Sequence, residues 1–401
     1  MAPRKTSFLL TVFSLITAGL VLGACLGPAG DNPVDSPTQI PTTAPTPSGA
    51  ATLTASQTTA PTRPPTSTPA NTPTITPTLD PAELAFLEKP GSDTLRVLNY
   101  NILWDSIFPD DDPQNHEWRE VDKSAAFIRI LNAVDPDIIC IQEVNPRRDA
   151  GQVADLINEA FGGPDIQEWQ AVGGRDSFIA SRFELVQEGF GLSVPSLPPD
   201  QEQAGVLIDL PDETYGSTDL YVICAHFKSG GGPANINIRQ RQADALIGHI
   251  TDSMAPGDDI DLPAGTPYIM MGDFNVYQTD PAAHLDTLLT GDIANEDKFG
   301  ADFHPDWDQT DLTDARPSHN GQGELYYTWR EDNSPFMPGA LDRILFTDSV
   351  LVLENAFVLN TTLLSDAALA AAGLEIDDIQ YSALRGFYDH FPMVVDFRVV
   401  N

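Results

Sequence analysis

Tyr268-Ile269-Met270-Met271-Gly272-Asp273-Phe274-Asn275-Val276 is the stretch that decides the architecture. Four apolar residues, Tyr268 to Met271, read as a buried strand, set off by Gly265 and Pro267 before it and Gly272 after it. On an extended backbone residues i and i+2 point the same way, so Asp273 and Asn275 can face one ligand while Phe274 turns into the core. A carboxylate beside a carboxamide at a strand end suits a hard divalent ion and the phosphate it carries. A lone Gly-Asp-x-Asn run is more simply a turn that caps a strand. Its company elsewhere in the chain changes that balance.

Other apolar runs end the same way. Leu95-Arg96-Val97-Leu98-Asn99-Tyr100-Asn101 reads as a strand finishing on Asn101, and Ile138-Ile139-Cys140-Ile141-Gln142-Glu143 as one finishing on an acid. Leu220-Tyr221-Val222-Ile223-Cys224-Ala225-His226 ends in a histidine, followed by Phe227, Lys228 and a Gly-rich turn. Ala340 to Phe346 carries Asp342 near its start, and Asp389-His390 stands just before the last strand. An acid at 342 and a histidine at 390 are the raw material of a carboxylate-oriented imidazole. Further strands are expected over Phe178 to Val186 with a break at Ser181-Arg182, over Gly205 to Leu210, and over Leu325 to Arg330. Helices are expected over Lys123 to Val134, Val153 to Phe161, Arg239 to His249 and Asp280 to Gly291.

Asn295 to Gly323 is a polar excursion of the kind that carries specificity. Its Asp302, Asp306, Asp308 and Asp311 lack regular calcium-loop spacing and read as a solvated loop. Cys140 and Cys224 are most simply buried core residues, and spacing alone leaves a bridge between them open.

The N-terminus has a different character. Arg4 and Lys5 precede an apolar run from Phe8 to Leu20, the pattern of an export signal. Leu22-Gly23-Ala24-Cys25 resembles a bacterial lipoprotein processing box, which implies lipidation of Cys25 and a protein anchored to the outer face of a bacterial membrane. Residues 26–90 are dominated by Thr, Pro, Ala and Ser and bury too little apolar surface to fold, so they read as an extended tether. Residues 91–401 are long enough for one large folded core and are expected to form a single domain. The chain carries 21 basic and 58 acidic residues, a net charge of −37. That argues against a broad basic face for duplex nucleic acid, although bound cations can supply a local positive field for a polyanion.

Taken in order, Leu95–Asn101, Ile138–Glu143, Val222–His226, Gly272–Asn275, Leu341–Ile344 and Asp389–Pro392 resemble the endonuclease/exonuclease/phosphatase superfamily, and most of all its secreted bacterial nucleases. Single motifs are weak, whereas six in register are strong. The resemblance implies a DNase I-like four-layer α/β sandwich: two packed mixed sheets flanked by helices, with the site across the strand ends. It implies Mg²⁺, with Mn²⁺ or Ca²⁺ as alternatives, held by Glu143 with Asn101, Asp273 and Asp389. Asp273 and Asn275 would complete the metal and phosphate site, with Asp273 orienting or activating water. His390 held by Asp342 would act as base or phosphate contact, and His226 would stabilise the phosphorane or protonate the leaving oxygen. The acid that should pair with His226 has no motif of its own, and Asp176 is the candidate. The activity implied is phosphodiester hydrolysis by a monomer, most naturally on extracellular nucleic acid, with membrane contact through the lipid anchor only. The alternatives are a phospholipid or sugar-phosphate esterase of the same fold, and a catalytically silent binding module.

Overall fold

The computed structural model describes residues 79–108, 122–162, 168–186, 203–257, 261–277, 282–379 and 388–400. The expected lipidation site Cys25 and nearly all of the expected tether lie outside the described residues. A 3-10 turn, Pro81–Leu87, opens the folded part and buries Phe86 edge-on to Phe357. Residues 81–89, which the expected tether of 26–90 included, therefore pack on the domain through their apolar Leu84, Phe86 and Leu87.

Then come β1 (Thr94–Asn101), α1 (Ser124–Val134), β2 (Ile138–Gln142), α2 (Ala150–Phe161) and the pair β3 (Gln170–Gly174) and β4 (Ser177–Ser181). Asp135, in a left-handed conformation, ends α1 just before Pro136, and the Asp149/Gln152 capping box starts α2. The chain continues through β5 (Glu184–Leu185), β6 (Ala204–Asp209), α3 (Asp212–Tyr215), β7 (Leu220–His226), α4 (Pro233–Met254), β8 (Tyr268–Asp273), α5 (Ala283–Thr290) and α6 (Glu296–Phe299). Last are β9 (Thr313–Asp314), β10 (Ser318–His319), β11 (Trp329–Glu331), β12 (Asp342–Phe346), β13 (Leu351–Val358), α7 (Asp366–Ala372), β14 (Tyr388–His390) and β15 (Met393–Val399). Among the described residues no helix is long and apolar enough to cross a membrane.

Two large sheets carry the fold. One runs β10-β13-β15-β1-β2-β4-β3, the other β5-β6-β7-β8-β12-β9, and β11 pairs with β14 as a separate ribbon. Both are mixed: β1–β2 and β7–β8 are parallel, β1–β15 and β8–β12 antiparallel. Successive side chains of a strand point to opposite faces, and both faces of β7 and β8 are covered, so both run apolar until their functional ends at His226 and Gly272-Asp273. Val222, Cys224, Ile269 and Met271 face the first sheet, where they meet Val97, Cys140 and Phe178. Tyr221, Ile223, Tyr268 and Met270 face outward onto Leu246, Ile247 and Ile250 of α4. The apolar faces of α1 and α2 share a core with the first sheet, and those of α4 and α5 a core with the outward face of the second. The architecture is the DNase I-like α/β sandwich.

Several local expectations change. Phe178–Val186 is not one broken strand: β4 belongs to the first sheet and β5 to the second, so the chain crosses between sheets at Arg182. Arg182 anchors that crossing on Asp135 and on the carbonyl of Pro136. Leu325–Arg330 is strand only from Trp329, with Leu325 and Tyr326 exposed. Helix α4 extends well beyond 239–249, because Pro233 at its first turn supplies a preformed start. In the 295–323 excursion Asp302 and Asp308 accept backbone N–H groups and Asp306 holds Trp307 and Ser349, as in a plain loop. Finally, Cys140 and Cys224 are bridged, joining β2 to β7 and so one sheet to the other, with a Cα separation of 5.4 Å.

Candidate active site

Register lines up the functional residues. Parallel pairing puts His226 beside Asp273, and antiparallel pairing puts Asp342 on Asp273's other side. The row depends on Gly272, whose φ is +152° and where an added Cβ would lie 1.8 Å from the carbonyl oxygen of Ala225. Only a residue without a Cβ lets β7 and β8 approach so closely at their ends. In the first sheet Asn101 pairs with Gln142, the residue before Glu143. The ribbon β11–β14 brings His390, and the two sheets' ends meet at one place.

Asp273, 2% exposed, is the hub. Its Oδ1 accepts from the backbone N–H of Asn275 at 2.8 Å. Its Oδ2 accepts from Asn275 Nδ2 at 3.1 Å and from Asn101 Nδ2 at 3.2 Å. The same Oδ2 lies 3.6 Å from His226 Nε2 and 3.5 Å from His390 Nε2. Each histidine has its own carboxylate behind it. His226 Nδ1 donates to Asp176 at 2.8 Å, and His390 Nδ1 donates to Asp342 at 2.7 Å. The result is two carboxylate-backed imidazoles aimed at one aspartate.

Glu143 stands beside them. Its Oε1 accepts from Asn101 Nδ2 at 3.1 Å and its Oε2 from the backbone N–H of Trp104 at 3.2 Å. Glu143 has φ +64°, and Leu103, Trp104 and Asp105 are a consecutive left-handed run at +52°, +48° and +69°. For non-glycine residues these are costly conformations of the kind concentrated at functional sites. Asp389 Oδ1 is 3.9 Å from His390 Nε2. All the residues marked at the sequence level except Cys25 thus gather within one cluster.

Two details differ from expectation. Strand β8 stops at Asp273, and Asn275 returns toward it through a left-handed turn, φ +51°, rather than by strand alternation. Asn101 turns its Nδ2 toward both acids while its Oδ1 accepts from the N–H of Leu103, so here it braces the carboxylates as a donor. Residues without a motif signal also belong to the site. Thr328 donates from Oγ1 to Asp342 at 2.6 Å, Asn99 Nδ2 lies 3.5 Å from the other Asp342 oxygen, and Tyr277 holds Asn275. Asn99 was available from parity, two residues before Asn101 on the same strand face. Thr328 was not, since its partner is 14 residues away.

Burial raises the proton affinities of Glu143 and Asp273, and lifts that of Asp389 well above the usual carboxylate range. Burial alone would lower the histidines, but their carboxylates more than offset it. Asp176 takes His226 up to about 10, and Asp342 takes His390 well above its ordinary value. Among the described residues no Lys or Arg forms an ion pair with Glu143, Asp273 or Asp389. Buried acids in excess over cations fit a site for a hard divalent ion. Ligand atoms of Asp273, Asp342 and His390 lie within 4.8 Å of one another, close enough to hold an ion together. In that trio, however, Asp342 and His390 are already bonded to each other, whereas Glu143 is half-buried beside Asp273 and carries no hydrogen bond to a histidine.

Two mixed sheets with carboxylates, amides and histidines at their joined ends define a hydrolase of the phosphoester-cleaving, DNase I-like class. The chain belongs to the Endonuclease/Exonuclease/phosphatase family, whose sequence profile matches residues 98–366. Members of this family are phosphoesterase and nuclease hydrolases that generally use a divalent metal. Among curated proteins no sequence matches the chain. Similar solved structures include the human Nocturnin catalytic domain with bound sulfate, 19% identical over 77% of this chain and 95% of that one, TM-score 0.47. A mannosyl-6-phosphatase from Bacteroides thetaiotaomicron is 18% identical over 76% and 99%, TM-score 0.44. D. rerio TDP2 complexed with a single-strand DNA product is 13% identical over 76% and 98%, TM-score 0.44.

Proposed function

We propose that the protein is a Mg²⁺-dependent phosphodiesterase, a nuclease acting on nucleic acid outside the cell, held at the membrane by a lipid on Cys25. The observation that carries this reading is the pair of carboxylate-backed histidines on either side of Asp273. Glu143, Asp273 and Asp389, with Asn101 beside them, are the residues that would hold the cation. Such an ion supplies charge neutralisation at the phosphate's anionic oxygens. Asp273, its proton affinity raised, orients the attacking water and accepts its proton. The water oxygen bonds to phosphorus in line as the P–O bond to the leaving oxygen breaks. His226, kept protonated by Asp176, donates from Nε2 to that oxygen. His390, kept protonated by Asp342, contacts the phosphate as an imidazolium.

The inter-sheet disulfide supports export, because such bonds persist in oxidising compartments. The test is a panel: full-length protein with plasmid DNA, RNA, sphingomyelin, a sugar phosphate and a bis-aryl phosphodiester, each with Mg²⁺ or excess chelator. The expected result is metal-dependent cleavage of nucleic acid and of the bis-aryl ester. Turnover confined to sphingomyelin or to the sugar phosphate would replace the nuclease reading with the esterase one.

A further inference from the structure

Asn275 gives Asp273 two of its hydrogen bonds, one from the backbone and one from the side chain. Its own amide is 2% exposed, so each polar atom needs a partner inside the protein. Nδ2 has two protons and meets two acceptors, Asp273 Oδ2 at 3.1 Å and the carbonyl of Phe227 at 3.0 Å. Oδ1 is left, and the Tyr277 hydroxyl donates to it at 2.7 Å. That hydroxyl in turn accepts from the N–H of Gly230 at 2.9 Å. The hydrogen bonds run one way: Gly230 to Tyr277, Tyr277 to Asn275, Asn275 to Asp273.

The anchor extends further. Gly230 lies in the Gly-rich turn that follows His226, and the buried Arg239 of α4 donates to the carbonyls of Lys228 and Gly230 in that turn. The Arg239 guanidinium also lies 5.1 Å from the centre of the Tyr277 ring. One hydroxyl therefore ties the turn after β7, which ends in His226, to the turn after β8, which ends in Asp273. We propose that Tyr277 is a positioning residue for the catalytic centre, acting through Asn275 to hold the Asp273 carboxylate in place between the two histidines. The inference rests on the assignment of Asp273 to the reaction, but the arrangement itself is readable without turnover.

Tyr277→Phe keeps the ring over Arg239 and deletes only the hydroxyl. In full-length protein labelled with ¹⁵N at asparagine, and with Asn275→Asp used to assign the signal, the native Asn275 amide should give two sharp, well-separated proton resonances. In Tyr277→Phe they should broaden or converge as the amide loses its anchor. With the best substrate of the panel, kcat should fall about tenfold with KM within about twofold, the loss expected when a buried acceptor goes unpaired. Adding Tyr277→Phe to Asn275→Ala should then cost nothing further. An unchanged Asn275 signal overturns the proposal whatever the kinetics do, and so does a full additional loss in the double variant. If no substrate turns over, the amide signal still decides the positioning claim, while the functional reading fails separately.

Discussion

Asp342 and His390 are 48 residues apart and joined by one 2.7 Å hydrogen bond. Asp342 is also fixed by Thr328 and is 1% exposed, so its carboxylate has little freedom but to orient the imidazole. If the two act as one unit, Asp342→Asn, His390→Ala and the double variant should each lose about 10²–10⁴-fold in kcat/KM, with the double hardly worse than His390→Ala. Multiplicative losses would reduce Asp342 to a structural residue. The second histidine makes a pH-dependent prediction. His226 is taken from an ordinary 6.5 up to about 10 in the folded protein, so its pairing with Asp176 stabilises fully below about pH 6.5. That stability is lost as pH rises through about 10. Denaturation of the chelator-treated protein between pH 6.5 and 10.5 should show wild type losing stability that Asp176→Asn never had. Parallel curves for the two proteins would contradict the assignment. At this scale the acids and histidines at strand ends were legible in the sequence, since each borders a local apolar run: Glu143, His226 and Asp273 close one, and Asp342 and His390 precede one. Their partners Asp176 and Thr328 were harder to see, because hydrogen bonds spanning 50 and 14 residues leave no local pattern.

The elements explain why the cluster is rigid. β7 and β8 end level because Gly272 lets them touch, and Gly272→Ala should destabilise the protein by more than about 3 kcal/mol or leave it insoluble. A Gly272→Ala protein of normal melting temperature would show that the strand ends can separate without loss. The Cys140–Cys224 bridge closes a span of 84 residues between the sheets, two residues short of both Gln142 and His226. Removing it as Cys140→Ser/Cys224→Ser should cost about 2–4 kcal/mol, read from urea midpoints. An unchanged midpoint would make the bridge incidental. Element type was legible wherever the run was long, as in β1, β7 and β8. It was lost where tertiary pairing decides, as at Arg182, where one sequence run feeds two sheets. The bridge was equally illegible, because facing sheets are not neighbours in sequence.

For the whole molecule, a strongly acidic chain meets an anionic substrate only where its own buried carboxylates are compensated. The same proposal places the domain at a membrane through Cys25, so Cys25→Ser should shift the protein from the detergent phase to the aqueous one. A wild type that already partitions into the aqueous phase after export would remove the anchor from the account. The central claim is that the acids at the joined sheet ends hold a divalent ion that phosphodiester hydrolysis requires. The most direct test is the rate of bis-aryl phosphodiester hydrolysis by the full-length protein, with Mg²⁺ and with excess chelator, for wild type and Glu143→Gln. The account predicts turnover that chelator abolishes and Mg²⁺ restores in the wild type, and a variant that melts normally but loses at least about 10²-fold at saturating Mg²⁺. Full hydrolysis in chelator, or a Glu143→Gln protein as active as wild type, would contradict it.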